Sequence, residues 1–299
     1  MTVALAWSPR PPDGQIADVV GLLAAAAAFD GVDPISEAAS LRLHHPGTGA
    51  HLLAHDGALA EHPEGALVGY AGLDERAERR TAEFAVHPEY RRRGVGGALL
   101  AALLDRVSGP LWVWAHGEHP AALRLAERAG LTRRRELLQL RRGLDDPIPP
   151  RALPDGVTLR SFVPGEDEAA VVRVNNRAFS WHPEQSHWDI RELAVREAQP
   201  WFDSKGFLLA VDPQGRLLGF HWTKVHPAGH GEVYVIGVDP DAQGTGLGAA
   251  LTVAGMEHLR ERGLAEVMLY VESDNVTALQ TYRKLGFRHH HTDVEFLRR

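Results

Sequence analysis

The sequence predicts an α/β protein made of two tandem copies of one unit, and three observations lead to this prediction. Valine-rich segments with strand character alternate with amphipathic segments of helical period in both halves of the chain. A glycine-rich turn of the form Q/R-x-x-G-x-G occurs twice. The chain has 299 residues, enough for two domains of the average size of about 100–150 residues.

The repeat is seen in landmarks that keep a nearly constant separation. The two glycine-rich turns, Arg91–Gly96 and Gln243–Gly248, begin 152 residues apart, and each follows a V-x-P triplet at that same separation. Further on, the segments Ala122–Gly130 and Ala278–Gly286 share an A-L pair and a closing glycine at an offset of 156. A small drift between matching landmarks indicates a duplicated unit with changed loop lengths.

The predicted domain boundary is the most proline-rich stretch of the chain, Asp145–Pro154, which lies near its middle. Proline fixes φ and lacks an N–H donor, so such a stretch favours a stiff, extended connector. We therefore predict a first domain over residues 1–146, a linker over 147–155 and a second domain over 156–299.

Each half shows the same order of elements. Two strands are followed by the glycine-rich turn, a helix with apolar residues at i, i+3 and i+4, a third strand, and a last helix that ends at Gly130 or Gly286. This order predicts a mixed, partly parallel sheet flanked by helices. The predicted elements are strands over 65–73, 82–86 and 112–115 with a helix over 98–107 in the first half, and strands over 215–223, 232–238 and 267–271 with a helix over 249–262 in the second half.

Composition and charge exclude several kinds of partner. The net charge of −7 argues against nucleic acid, because binding to phosphates requires a basic surface. The longest apolar run, Val19–Phe29, is shorter than the ~20 residues that span a bilayer, and the N-terminus lacks the pattern of a signal peptide. We expect a cytoplasmic monomer that acts on a small molecule, with no membrane partner.

The absence of cysteine limits the chemistry further. It excludes a disulfide framework, a thiolate metal site and a cysteine acyl-enzyme. Among the 17 histidines, the pair His226-x-x-x-His230 and the triplet His289–His291 invite a metal interpretation. Neither has a convincing third ligand, and the pair lies on a Pro/Gly loop instead of a helix that would aim both rings, so we predict no metal site.

The glycine-rich turns are the segments with the clearest chemical meaning. Between a strand and a helix, the glycines let the backbone approach a ligand, and the free N–H groups of the first helical turn favour an anion. One such turn alone is as consistent with a plain structural turn. Two copies in the same context favour a pyrophosphate cradle, and they make phosphates the expected partners of Arg91–Arg93, which would otherwise indicate a solvated cluster or a nucleic-acid patch.

Both halves resemble the GCN5-related N-acetyltransferase (GNAT) family, which binds acetyl-CoA at this turn. The second half is the more complete match, and its pattern is similar to that of the mycothiol synthases, tandem members of the family. The similarity is strong over residues 156–287 and looser before Pro147. The segments that carry it are Gly231–Pro240, Leu269–Phe287, Val174–Phe179, His182–Gln185 and Phe220–Pro227.

The resemblance implies transfer of acetyl from acetyl-CoA to the cysteinyl amine of a cysteine–glucosamine–inositol conjugate. Without a cysteine, direct attack of the amine on the thioester is the natural route. The resemblance places the general base at Glu232 and the acid that protonates the leaving thiolate at Tyr282. The alternatives are a solvated glutamate at a strand end and a tyrosine that only packs its ring.

The resemblance also implies residues for the cofactor and the acceptor. The strand before each turn would pair with the pantetheine arm and offer an oxyanion N–H, and Asn275 would either bind a pantetheine amide or only cap its helix. Predicted acetyl-CoA contacts in the second half are Ile236, Gly237, Val238, Gln243, Gly244, Thr245, Gly246, Leu247, Gly248, Ala249, Asn275, Val276, Thr277, Ala278, Leu279 and Gln280. Those in the first half are Phe84, Ala85, Val86, Arg92, Arg93, Gly94, Val95, Gly96 and Gly97. Predicted acceptor contacts are Glu37, Glu184, Lys224, Glu232 and Tyr270, each of which alone is as consistent with an ordinary surface residue.

The two halves differ at the positions assigned to proton transfer. The offsets of 152 and 156 match Glu232 with Arg80 and Tyr282 with Ala126, although Glu83 lies close enough to replace the base. The first half is therefore predicted to bind acetyl-CoA or support the fold, and the second to catalyse. Two other functions stay open: acetylation of another amine, such as an aminoglycoside or a peptide N-terminus, and a non-catalytic acyl-CoA sensor.

Overall fold

The protein is described from a computed structural model that covers residues 2–44, 49–57, 65–75, 79–181 and 188–299. The chain divides into two compact units. The first contains the chain up to Leu137 together with His291–Arg299, and the second contains Leu138–His290. The predicted linker, residues 147–155, falls inside the second unit.

The first unit has helices on a mixed sheet. Its strands follow the spatial order β1-β2-β3-β4-β5-β12, in which β4 and β5 are parallel and the pairs β1/β2, β2/β3, β3/β4 and β5/β12 are antiparallel. The elements are β1 (Val3–Ser8), α1 (Asp13–Asp30), α2 (Glu37–His44), β2 (Gly49–Asp56), β3 (Leu67–Asp74), β4 (Arg80–Val86), α3 (Val95–Arg106), β5 (Leu111–Ala115) and α4 (Pro120–Arg128). Two long strands, β6 (Thr132–Gly143) and β12 (Arg288–Arg298), contribute residues to both units.

The second unit repeats this arrangement. Its strands follow the order β6-β11-β10-β9-β8-β7, with β10 and β11 parallel and the pairs β7/β8, β8/β9 and β9/β10 antiparallel. The elements are β7 (Thr158–Ser161), α5 (Glu168–Ala178), α6 (Ile190–Glu197), β8 (Phe207–Val211), β9 (Leu217–Val225), β10 (Gly231–Val238), α7 (Leu247–Glu261), β11 (Glu266–Glu272) and α8 (Val276–Lys284). The predicted mixed, partly parallel sheet flanked by helices is thus confirmed in both units.

Apolar packing holds the crossover helix of each unit on its sheet. In the first unit Leu99 and Leu103 of α3 are fully buried against Val68 and Leu111. In the second, Met256 and Leu259 of α7 are buried against strand residues that include Val267. The apolar residues whose spacing predicts these helices therefore form the helix face that packs on the strands.

The predicted helix ends at Gly130 and Gly286 are confirmed in detail. Both glycines have positive φ, 68° and 88°. The following residue then donates back into the helix, Leu131 N–H to the Ala126 carbonyl at 2.9 Å and Phe287 N–H to the Tyr282 carbonyl at 3.0 Å. This six-to-one bond beside a left-handed glycine is the Schellman arrangement, and it places Ala126 and Tyr282 at the same helix position.

None of the helices in the described ranges combines the length and the apolar character that a bilayer span would need.

Candidate active site

The candidate site of the second unit begins where β10 and β11 stop pairing. Their parallel register runs from Gly231 to Val233. The β10/β9 register shifts between Val233 and Val235, so Tyr234 is the extra residue of a β-bulge. Ile236, Gly237 and Val238 lie beyond the bulge, still paired with β9 but past the pairing with β11. Their other backbone edge is therefore in position to pair with the amides of a ligand, as the sequence predicted for a pantetheine arm.

The second glycine-rich turn has the geometry of an anion cradle. Gly244 and Gly246 adopt φ of 78° and 86°, and Gly246 is the residue that precedes α7. The turn is fixed from the side by Thr245, whose hydroxyl donates to the Ala242 carbonyl at 2.7 Å. At either glycine an added Cβ would meet no heavy atom of the described residues within 4 Å. The residues present fit a diphosphate, because an exposed turn at the N-terminus of a 15-residue helix combines the N–H groups of the first helical turn with the positive end of the helix dipole.

The first glycine-rich turn keeps the same backbone path with different side chains. Gly94 precedes α3 with φ of 92°, and Arg92 has the positive φ, 63°, that Gly244 has in the second unit. Arg91 is already engaged: both of its terminal nitrogens lie 2.7 Å from the Asp30 carboxylate, and its Nε donates to the Val86 carbonyl. Of the three arginines expected to meet phosphates, Arg91 therefore holds the turn, whereas Arg92 and Arg93 are exposed.

Glu232 lies on β10 just before the bulge and is 6% exposed. Its neighbours in register are Lys224 on β9 and Met268 on β11. Its carboxylate oxygen Oε2 accepts a hydrogen bond from His226 Nε2 at 2.7 Å. It is therefore not the solvated strand-end glutamate that was weighed against a catalytic role.

Two more predicted acceptor contacts lie in the same unit. Lys224 is 9% exposed, and its ammonium lies 4.8 Å from the ring centre of Trp201 and 5.1 Å from that of Tyr234. Aromatic faces stabilise a cation that is otherwise costly to bury. Tyr270 on β11 is half-buried, and its hydroxyl accepts a hydrogen bond from Gln139 Nε2 at 2.8 Å.

Tyr282 packs into the core of the second unit. It lies near the end of α8, 8% exposed, in one apolar cluster with Val233 and Leu269, with an edge-to-face contact to Phe287 at 5.7 Å. Burial raises the pKa of the Tyr282 phenol to about 12, so the hydroxyl keeps its proton throughout the neutral range. At the other end of the helix, Asn275 caps α8 by accepting from Ala278 N–H at 3.1 Å, which is the capping interpretation of that residue.

The structure corrects one correspondence between the repeats. Asp74 on β3 and Lys224 on β9 occupy matching positions in the two repeats. Asp74 faces Thr81 of β4, and Lys224 faces Glu232 of β10. The extra residue Tyr234 shifts the count by one, so the counterpart of Glu232 is Thr81 and not Arg80. Thr81 cannot act as a carboxylate base, so the difference between the halves remains.

A buried ionic cluster in the first unit was not predicted. His116 Nε2 lies 3.0 Å from Glu83 Oε2, and its Nδ1 lies 2.9 Å from Asp293 Oδ2. Ser36 donates to Glu83 from both its N–H and its hydroxyl, and Gly117 N–H donates to Asp293 at 2.8 Å. Of this cluster the sequence suggests only Glu83, because His116 and Asp293 are separated by 177 positions in the chain.

This cluster fixes the charge of its members. Burial opposes ionisation, but the hydrogen bonds to Asp293 and Glu83 outweigh it and raise the pKa of His116 to about 10. For Glu83, burial is likewise outweighed by His116 and Ser36, and its pKa is lowered to about 2. A carboxylate held in this way is a poor proton acceptor, so Glu83 does not fit the role of a substitute base.

The remaining predicted acceptor contacts lie in the first unit or outside the described residues. Glu37 is the first residue of α2, in the first unit. Glu184, and with it the segment His182–Gln185, lies outside the described residues. His226 and His230 stack with ring centres 4.4 Å apart, and the ranges that the structure describes contain no group of three or more potential metal ligands.

Two units, each with a parallel strand pair, a left-handed glycine cradle and a crossover helix, define the tandem acetyltransferase class of fold. The chain belongs to the acetyltransferase (GNAT) family, whose model matches residues 28–131 and 172–287, and it is an N-acetyltransferase.

Similar proteins cover nearly the whole chain. A mycothiol acetyltransferase of Saccharopolyspora erythraea is 52% identical over 89% of this chain and 96% of its own length. One of Thermomonospora curvata is 51% identical over 98% and 97%. Among solved structures, a GCN5-related N-acetyltransferase from Sphaerobacter thermophilus is 25% identical over 98% and 95%, with a TM-score of 0.71. A tandem GNAT protein from the clavulanic acid biosynthesis pathway shares the fold at 21% identity over 99% and 98%, with a TM-score of 0.74.

Proposed function

We propose that this protein transfers acetyl from acetyl-CoA to the cysteinyl amine of a cysteine–glucosamine–inositol conjugate, giving mycothiol. One observation carries the chemistry: in the second unit a buried carboxylate, Glu232, lies on the strand that contains Ile236–Val238 and leads into the glycine cradle. Relatives of about half-identical sequence that are named mycothiol acetyltransferases support the choice of acceptor.

Acetyl-CoA binds along the open edge of β10 in this proposal. The cradle at Gly244–Gly246 holds the diphosphate, and the backbone of Ile236–Val238 pairs with the pantetheine arm. The thioester then lies near the bulge, where a backbone N–H of β10 stabilises the developing oxyanion. The open space at the two left-handed glycines supports this path.

Glu232 accepts the proton that the acceptor amine must lose before it attacks. A free α-amino group has a pKa of about 7.7–8.0, so a carboxylate in contact with the ammonium needs only modest basic strength to supply the nucleophile. The amine nitrogen forms a bond to the thioester carbon and then loses one of its two protons to solvent. The tetrahedral intermediate collapses as the carbon–sulfur bond breaks and the CoA thiolate leaves.

Tyr282 protonates that thiolate. Its raised pKa keeps the phenol protonated at neutral pH, and a thiolate with a pKa of about 8.5 is a tolerable leaving group even without assistance. The acid therefore contributes less than the base.

Acceptor recognition is assigned to four polar side chains besides Glu232. Lys224 and Tyr270 offer an ammonium and a phenol to the hydroxyl and carbonyl oxygens of the conjugate, and Glu37 and Glu184 offer carboxylates to its amine or hydroxyl groups. The register pairing of Lys224 with Glu232 supports the first of these assignments.

The first unit is assigned to binding or support. It keeps a left-handed glycine at Gly94 and a parallel pairing of β4 with β5 that ends at Glu83, before Phe84–Val86. It lacks counterparts of Glu232 and Tyr282, which are replaced by Thr81 and Ala126.

The experiment is turnover of acetyl-CoA against a panel of amines: the cysteinyl conjugate, an aminoglycoside and a peptide N-terminus. We expect the conjugate to be acetylated on its amine with a kcat/KM at least 100-fold above that of the others. Rapid acetylation of the aminoglycoside without the conjugate would reject the acceptor. Binding of acetyl-CoA without turnover of any amine would instead favour a sensor.

A further inference from the structure

His226, which the sequence suggests only as part of a weak metal motif, contacts the candidate base. We propose that His226 is a positioning residue for Glu232: its Nε2–H holds one carboxylate oxygen and thereby directs the other toward the amine. This inference rests on the proposed function of Glu232. In the described part of the chain, His226 is the side chain that bonds to this carboxylate, at 2.7 Å.

The hairpin between β9 and β10 fixes the imidazole in place. His226 N–H donates to the His230 carbonyl, and Gly229 N–H donates to the His226 carbonyl, both at 2.9 Å. Gly229 has φ of 84°, as a tight turn of this kind requires. The His226 ring then lies on the His230 ring, at 4.4 Å and 17° between planes. The His226 ring is held on one face by His230 and at one edge by its hydrogen bond, so it can fix the orientation of the Glu232 carboxylate.

The register explains why this histidine reaches Glu232. Lys224 directly faces Glu232 across the β9/β10 pair, and His226 lies two residues further along the chain, just past the end of β9. The bond from His226 N–H to the His230 carbonyl continues the hairpin by one step. Residues two apart on an extended chain share a face, so His226 approaches Glu232 along the diagonal. The H-x-x-x-H spacing is thus explained by the turn of the hairpin and by the contact of His226 with Glu232, without a metal ion.

The surrounding charges make the protonation state of His226 matter. A neutral imidazole donates Nε2–H without neutralising the carboxylate, whereas an imidazolium 2.7 Å away would stabilise the anion and weaken it as a base. Among the described residues, Lys224 faces Glu232 across the β9/β10 pair, and the His230 ring stacks on His226. Burial first, then His226 and Arg141, lowers the pKa of His230, against the opposing effect of Glu266 and Glu232.

The test uses two substitutions that separate the donor from the ring. H226F keeps a flat ring to stack on His230 and loses the donor. H226Q keeps an N–H donor and does not titrate. Because general-base catalysis contributes about 10²–10⁴-fold, loss of its orientation should cost H226F about 10–100-fold in kcat, with the KM for acetyl-CoA unchanged. H226Q should recover most of the rate.

The control is H230F, which keeps a flat ring to stack on His226 and should keep the wild-type kcat. Wild-type kcat in H226F, or an H226Q enzyme as slow as H226F, would overturn the inference. E232Q, measured alongside, distinguishes a failure of the proposed base, Glu232, from a failure of the positioning role of His226. Full activity in E232Q rejects Glu232 as the base, whereas a large loss in E232Q with none in H226F rejects only the role of His226.

Discussion

Glu232 and Tyr282 are both more than nine-tenths buried, yet the account gives them opposite tasks. Glu232 accepts a hydrogen bond from the His226 imidazole at one of its carboxylate oxygens. Tyr282 is surrounded by apolar side chains that keep its proton in place. The two roles therefore predict different responses to substitution and to pH.

E232Q keeps the size of the side chain and an oxygen that accepts from His226, but it cannot accept a proton. We expect kcat to fall by about 10²–10⁴-fold near pH 7. The deficit should shrink toward pH 9, because an amine with a pKa of about 7.7–8.0 then loses its proton unaided. The measurement is a rate profile from pH 6 to 9 for both enzymes, and a deficit that stays constant with pH would reject the role of base.

Y282F removes only the hydroxyl and preserves the packing of the ring on Phe287. We expect a kcat loss of about 10-fold, smaller than that of E232Q, because a thiolate with a pKa near 8.5 departs without help. Higher pH should not restore the rate, since the missing proton is not supplied by a more basic solvent. Equal losses with equal pH dependence in the two variants would contradict the separate roles.

At this scale the sequence predicted the candidate residues but not their surroundings. Glu232 and Tyr282 were placed by resemblance, and the structure places each on the expected strand and helix without testing its role. The sequence suggests His226 only as half of a weak metal motif, because a spacing of four residues carries no information about a contact across a hairpin. The position of Glu184 falls outside the described residues, so its role stays a prediction.

Among the elements, the crossover helices and their strands followed the predicted bounds to within three residues. Helix α3 spans Val95–Arg106 where 98–107 was predicted, and α7 spans Leu247–Glu261 where 249–262 was predicted. The apolar period is a local property, which is why it predicts such elements well. The bulge at Tyr234 is a property of strand pairing, and it caused the one wrong correspondence between the repeats.

The ionic cluster of the first unit ties three separate elements through His116. H116Q would leave Glu83 and Asp293 buried without their cation, and breaking a buried pair in this way costs about 3–5 kcal/mol. We expect the unfolding free energy of the variant at pH 6 to be lower by that amount, and its melting temperature to be lower as a result. Thermal melts of wild type and variant measure it, and an unchanged melting temperature would contradict the account of the cluster.

The same cluster predicts a pH dependence with a definite sign. The raised pKa of His116, about 10 against 6.5, stabilises the fold fully below pH 6.5, and this contribution is lost as pH rises through 10. The lowered pKa of Glu83, about 2 against 4.5, contributes fully above pH 4.5 and is lost as pH falls through 2. The difference in stability between wild type and H116Q should thus be greatest between pH 4.5 and 6.5 and should narrow toward pH 10.

On the scale of the whole molecule, the repeats in the sequence and the compact units do not coincide. The end of the second repeat, His291–Arg299, belongs to the first unit, where β12 pairs with β5 from Val294 to Arg298. A boundary drawn from proline content follows the order of the chain and cannot reveal a strand that joins the sheet of the other unit. The division of labour between the repeats, in contrast, was predicted from residue identity and remains to be tested.

Gly94 and Gly246 offer a matched pair for that test. Each precedes the crossover helix of its unit with a left-handed φ, 92° and 86°, and a Cβ added at either meets no described atom within 4 Å. An aspartate therefore imposes the same backbone cost of about 1–2 kcal/mol at both places, together with a negative charge that repels a diphosphate.

The central claim is that the second cradle supplies the acetyl group that reacts. The direct measurement is steady-state N-acetylation of the cysteinyl conjugate by G94D and G246D, each checked for folding by its thermal melt. We expect G246D to lose at least 100-fold in kcat/KM for acetyl-CoA and G94D to stay within about threefold of the wild type, because a lost charge-assisted contact to a diphosphate is worth about 1.5–3 kcal/mol per hydrogen bond. A folded G94D enzyme without turnover beside an active G246D would contradict the account and assign catalysis to the first repeat.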